Sequence, residues 1–291
     1  MHCGDLILGD PAFERWQAGT LAPAAQLGPR AVGAGYARLA EQAVASGVPG
    51  SSAAGEFPKF PALRELSGSD TPHLLVKFSG AAGSAPVQRW SDLLVCEHLA
   101  LEASATMPGV AAARSRIVRH AGRTFLELER FDRHGGFGRS ALVSLGTLDA
   151  ALPGEGSSDW TGLGSRLHAG GLLEPDVLPR VLRLWWFGRL IANTDMHTGN
   201  LSFVPRDGLL GLAPAYDQLP MLYAPLPGGE VPPRSFEPPM PLPAQRAEWL
   251  QGCEAALAFW RRAQADERIS QTFRHECGVN AERLLRVAER V

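Results

Sequence analysis

With 291 residues, 45% apolar and 20% charged, the chain carries enough apolar mass for a large core in one two-lobed unit or in two domains. A formal net charge of −2 removes the basic field that drives non-specific nucleic-acid binding, and the four scattered cysteines (Cys3, Cys96, Cys253 and Cys277) form neither a CxxC zinc pattern nor a disulfide framework, as expected of a reducing cytoplasm. No apolar run reaches the ~18 residues of a membrane span, and the acidic opening MHCGDLILGDPAFERW does not have the form of a signal peptide.

The first 50 residues, rich in Ala and Gly, predict helices over 11–18 and 36–44. SSAAGEFPKF (51–60) follows, a small-residue loop ending in Lys59, and then HLLVKF (73–78), whose apolar and β-branched residues predict a strand carrying Lys77. Residues 91–105 predict a helix, and 114–131 a hairpin turning at Ala121-Gly122. ERFDR (129–133) is placed to cross between lobes. Gly and Ser punctuate the chain to about residue 171, after which 177–193 reads as a buried helix with Trp185 and Trp186 in the core. NTDMHTGNLSF (193–203) ends that helix. LSFV and LLGLAP predict a second hairpin around residues 205–208, leading into APAYDQLP (213–220). Eight prolines between Pro225 and Pro243 exclude regular structure there, and 245–291 is helical by pattern, with Trp249, Leu250, Leu257 and Trp260 as packing residues.

Asp195, Asn200 and Asp217 carry the strongest chemical signal. One loop presents a carboxylate able to orient an attacking hydroxyl and, five residues on, an amide, while the neighbouring strand supplies a second carboxylate; that set can hold magnesium against nucleotide phosphates. A polar turn between helix and strand is the plainer reading. His197 in the same loop can bond phosphate, act as a base or metal ligand, or merely fix the loop. The chain has only two lysines, Lys59 and Lys77, and both fall in the segment read as a nucleotide lobe; Lys77 suits the α and β phosphates, or a snorkelling edge position. Asp92 and Glu97 are its two possible acidic partners. The backbone of Ser52, Ala53, Ala54 and Gly55 can cradle phosphates, though the loop matches neither GxGxxG nor Walker A. Glu129, Phe131 and Asp132 lie where backbone groups would meet adenine and a carboxylate the ribose; an ion-pair cluster fits that segment equally well.

Taken in order, SSAAGEFPKF, HLLVKF, ERFDR, NTDMHTGN and LAPAYDQLP resemble the HipA family of serine/threonine kinases, toxins of bacterial type II toxin–antitoxin modules, over about 51–220. RWSDLLVCEHLA and LAPAYDQLPMLYAP are most similar to its YjjJ-like branch. The resemblance implies an α+β, two-lobed protein-kinase-like fold with a small β-rich N-lobe (1–132) and a mainly helical C-lobe (133–291), binding ATP and magnesium between them. It implies Asp195 as catalytic base, Asn200 and Asp217 on the metal, Lys77 on phosphate, and Ser52 as the autophosphorylated serine that switches the kinase off. By the same resemblance the partners are a bacterial protein substrate, such as a translation factor or aminoacyl-tRNA synthetase, and a HipB-like antitoxin; 50 residues precede the serine loop where family members carry a longer antitoxin-binding region. Direct nucleic-acid binding and membrane association are not expected. Aminoglycoside and choline kinases have a similar catalytic loop, which leaves a small-molecule phosphotransferase as the alternative, and a non-catalytic regulator with the same fold as a third reading.

Overall fold

The computed structural model describes residues 7, 9–17, 26–45, 57–81, 83–152 and 159–291. The helices α1 (Asp10–Gln17) and α2 (Val32–Ala45) come first. They are followed by β1 (Lys59–Leu63), β2 (His73–Phe78), α3 (Ala85–Ser104), β3 (Ser115–His120) and β4 (Arg123–Glu129). The four strands form an antiparallel sheet in the order β1-β2-β4-β3. Ala121 and Gly122 both adopt positive φ (48° and 70°), the geometry that a two-residue hairpin turn needs to match strand twist.

Side-chain alternation divides the sheet into two faces. Phe60, Leu74, Val76, Phe78 and Phe125 pack with Tyr36 and Ala40 of α2, while Leu126 and Leu128 join the core built around α3. The sequence places the start of α3 at residue 91. Its first turn in fact begins at Ala85, with Pro86 where a missing N–H leaves no bond unmade.

One short ribbon follows, β5 (Arg133–His134) with β6 (Gly138–Arg139), and then β7 (Val143–Ser144), α4 (Leu145–Ala151), α5 (Trp160–Ala169) and α6 (Val177–Leu190). β8 (Ser202–Arg206) and β9 (Leu209–Leu212) pair as a hairpin turning at Asp207 and Gly208, both at positive φ. Pro205, read above as part of the turn, instead lies within β8. It is tolerated because β7 reaches only Ser202 and Phe203, so β8 has a free edge by that point. Helices α7 (Arg246–Ala265) and α8 (Gln271–Ala288) divide the C-terminal helical stretch in two.

Trp186 and Phe187 of α6, Trp249, Phe259 and Trp260 of α7, and Phe273 of α8 share one core with Leu93, Leu94 and Leu101 of α3. Gly252 lets α7 lie against α6, where a Cβ would come 3.0 Å from Phe187 N. The architecture is therefore α+β, a sheet near the N-terminus and helices after it, with α3 packed against both halves. No described helix is long and apolar enough to cross a membrane.

Candidate functional site

Lys77 is the penultimate residue of β2, opposite Lys59 of β1 and Leu126 of β4, on the face turned towards α3. Its ammonium donates to both Glu97 oxygens, at 2.8 and 2.9 Å, and to Oδ1 of Asp217. Lys77 and Glu97 are 4% and 0% exposed, so each charge has lost its water and relies on the other for compensation. The geometry separates the two acids of α3. Asp92 accepts from Ser270 N (2.8 Å), Ser270 Oγ (2.5 Å) and Gln88 Nε2 (2.9 Å), which ties α3 to the α7–α8 connection and not to Lys77. Phe57 adds an aromatic ring with its centroid 5.8 Å from Nζ.

Ionisation follows from this crowding. Burial alone would lower the Lys77 ammonium, but Asp217 and Glu97 outweigh it and hold its pKa above the ordinary value. Burial pushes the Glu97 carboxyl up to about 7, against the opposing pull of Lys77. Burial acts the same way on Asp217, yet Lys77 prevails and holds that carboxyl below its ordinary range.

The loop after α6 is tied to Asp217 by side-chain amides. Ala192, at φ 59°, breaks the helix, and Asn193 N returns to Gly188 O at 2.9 Å. Asn193 then bonds in two directions: its Oδ1 accepts from Asp195 N (3.0 Å) and its Nδ2 donates to Asp217 O (3.2 Å). Asn200 Nδ2 donates to Asp195 O at 2.9 Å, which leaves the Asn200 carbonyl oxygen for a cation. Asp217 itself has φ 53°, a left-handed conformation uncommon outside glycine and typical of strained functional positions. Tyr216 OH donates to Gly199 O at 2.7 Å and also meets Ser202 Oγ, fastening the β9 end to the loop. A Cβ at Gly188 would stand 2.7 Å from Met196 Sδ, so a side chain there would displace the end of Met196. The Asp195 carboxylate is exposed and, among the described residues, has no bonding partner.

His197 caps the short 3-10 turn Thr198–Asn200. Its Nδ1 accepts from Gly199 N (3.0 Å) and its carbonyl accepts from Trp160 Nε1 (3.0 Å), the loop-fixing arrangement. Ser52, Ala53, Ala54 and Gly55 lie outside the described residues. Glu129 ends β4, with its N–H on Arg114 O (2.8 Å) and its carboxylate 3.7 Å from Arg114 Nε, while the Phe131 ring lies 6.2 Å from that of Tyr216. The buried Asp132 carboxylate is gripped by Arg130 through two bonds of 2.6 Å, so a ribose hydroxyl would have to share it with that fork. Among the described residues no three His, Cys, Asp or Glu side chains converge as a metal cage. One carboxylate and one amide suit magnesium, which keeps waters and takes phosphate oxygens as its other ligands.

Sequence reasoning passed over two residues. Asn193 was legible as an Asx residue two positions before Asp195. Trp185, assigned to the core, is only half-buried; its ring lines a cleft of about 670 Å³ together with Arg189, Asp195, His197, Phe236 and Glu237. A helix with apolar residues nearly all round gives no sign of which side is left uncovered.

Comparisons with known proteins agree with this architecture. The HipA-like C-terminal domain matches residues 51–291. Toxin YjjJ of Escherichia coli (strain K12) is 34% identical over 291 residues, covering 100% of this chain and 65% of its own length, so the chain spans just under two thirds of that relative. Among solved structures, a chain of the Shewanella oneidensis MR-1 toxin–antitoxin complex of HipA, HipB and operator DNA superposes with TM-score 0.52 at 18% identity, over 82% of this chain and 64% of that one. The Helicobacter pylori proinflammatory kinase CtkA gives TM-score 0.51 at 12% identity, over 79% of this chain and 88% of that one. At such identities the two structures bear on the fold alone.

Proposed function

The chain belongs to the HipA-like C-terminal domain family, and from that premise we propose that it is an ATP- and magnesium-dependent protein kinase acting on serine or threonine hydroxyls of a bacterial cytoplasmic protein. The supporting observation is the fixed relation of the two acids: one amide, Asn193, bonds Asp195 N and Asp217 O, while the Asp217 carboxylate meets Lys77 beside Glu97.

In this reading the N-lobe (1–132) supplies the nucleotide site and the C-lobe (133–291) the catalytic loop. Lys77, oriented by Glu97, pairs with the α and β phosphates once they draw it from Asp217. Lys59 adds positive charge from the neighbouring strand, and the 129–132 segment, with Glu129, Phe131 and Asp132, borders the adenosine. Asp217 and the Asn200 carbonyl oxygen would hold magnesium, which neutralises charge on the transferring phosphoryl group. Asp195 accepts a hydrogen bond from the acceptor hydroxyl and aims it for in-line attack, taking its proton as the new P–O bond forms and the bond to ADP breaks. His197 holds the loop. Ser52 is the proposed site of autophosphorylation, and a HipB-like antitoxin the proposed regulatory partner.

Labelled ATP added to a bacterial lysate with wild type or Asp195→Asn tests the assignment. The variant should lose roughly 10²–10⁴-fold in protein labelling, and near-normal labelling by it would sink the reading. Phosphopeptide mapping should find Ser52 labelled in the wild type. A small-molecule phosphotransferase is a second reading, because a cleft of about 670 Å³ beside Asp195 is of a size that holds such an acceptor. A panel of hydroxylated metabolites and aminoglycosides, assayed in parallel, separates the two.

A further inference from the structure

The cleft beside Asp195 is lined by Asn193, Asp195 and His197 of the catalytic loop but not by Lys77, Glu97, Asn200 or Asp217, so it borders that loop next to the Lys77 cluster without sharing its residues. One wall is the end of α6, where Trp185 and Arg189 are one helical turn apart and the guanidinium lies 5.6 Å from the Trp185 ring centroid. Arg189 is exposed, and among the described residues no carboxylate pairs with it. The two other acids of the lining, Asp159 and Glu237, keep their charges but take their hydrogen bonds from uncharged neighbours and not from Arg189. Asp159 caps α5 by accepting from Thr161 N and Oγ1, both at 2.9 Å, and Glu237 accepts from Ser235 Oγ at 3.3 Å.

The opposite wall belongs to the proline-rich segment before α7, and it is anchored. Phe236 is buried against Trp260, with ring centroids 6.1 Å apart, and its carbonyl accepts from Arg283 at 3.1 Å. Arg283 also donates to Ser235 Oγ (2.9 Å), and Trp249 Nε1 donates to Pro239 O (2.9 Å). With φ locked at its prolines and its carbonyls held from below, this wall keeps its shape when a ligand enters.

We propose that this cleft is the acceptor site and that Arg189, beside Trp185, selects a protein segment with an acidic side chain flanking the target serine or threonine. The inference rests on the protein-kinase reading above. A guanidinium 5.6 Å from the indole centroid is drawn towards the ring face, and its fork of donors matches a carboxylate. Trp185 and Pro239 would cover the apolar stem of the same residue.

The test uses the full chain, ATP, magnesium and serine or threonine peptides flanked by Asp/Glu, by Ala or by Lys/Arg, with sites mapped in lysate proteins as a second acceptor pool. Wild type should favour acidic flanks. Arg189→Ala should raise KM for the acidic peptides roughly tenfold while lowering kcat much less. Arg189→Lys should recover part of that loss, and Arg189→Glu should turn the preference towards basic flanks. A wild-type preference for basic flanks, no flank preference, or an acidic preference surviving Arg189→Glu would overturn the inference while leaving the kinase reading intact. Absence of transfer to every acceptor by the wild type would instead overturn the kinase reading and the inference with it.

Discussion

Among the described residues, two buried glutamates occupy the N-terminal half, one on each side of the sheet. Glu97 lies on α3 and pairs with Lys77, while Glu127 lies on β4, where it accepts from Tyr36 OH (2.8 Å) and stands 3.1 Å from Arg64 Nη1. They are 0% and 2% exposed. Lys77 pairs with Leu126 and Val76 with Glu127, so adjacent registers send the two charge clusters to opposite faces. The Glu127 cluster fastens α2 to the sheet and closes within that half of the chain. The Lys77 cluster has a third member, Asp217, contributed by the segment after β9. Burial and pairing are common to both and do not by themselves identify a functional pair. The distinguishing property is a cation shared with a carboxylate from the other half, because that contact can be exchanged for a ligand.

The strongest test of the comparison removes the shared acid. Asp217→Asn should lower phosphate transfer by roughly 10²–10³-fold, with a modest fall in Tm because Glu97 remains beside Lys77. A labelled-phosphate assay alongside a thermal melt reads both quantities, and a variant keeping more than about a tenth of the transfer would remove the distinction between the clusters. The closed cluster should respond in the opposite sense. Tyr36→Phe deprives a buried carboxylate of a donor and should lower stability by about 1–3 kcal/mol in urea unfolding, with phosphate transfer within twofold of wild type. A large loss of transfer at unchanged stability would show that the α2 face also works in catalysis.

The sequence made this contrast partly visible. Strands and tight turns were legible where local chemistry decides the backbone, as at Ala121-Gly122, and Lys77 stood out in an apolar strand of a chain with only two lysines. The partner of Lys77 was not legible. Asp92 and Glu97 are separated by more than one helical turn and face different neighbours, and only the packing of α3 decides which of them meets the sheet. The same limit hid the half-exposed side of α6, where Trp185 and Arg189 line the cleft. Asn193 is a third kind of case. Its offset from Asp195 predicts a local turn, but its bond to Asp217 O spans 24 residues and exists only because β8 and β9 bring that segment back.

A dependence on pH isolates Glu97. Its carboxyl is raised from 4.5 to about 7 in the folded chain, so the folded state binds that proton more tightly than the unfolded state does. The corresponding stability is fully present below pH 4.5 and is lost as pH rises through about 7, a change of up to about 3 kcal/mol. Asp217 is shifted the other way, and its contribution is lost only as pH falls below its ordinary 3.8, so the two windows do not overlap. Glu97→Gln should therefore flatten the dependence of Tm on pH between 4.5 and 7, because the amide stands in for the protonated carboxyl at every pH. Parallel Tm–pH profiles for wild type and variant would mean that Lys77 keeps Glu97 ionised across that range. The Lys77–Glu97 pair would then be as self-contained as the Glu127 cluster, and the contrast between the two faces would rest on Asp217 alone.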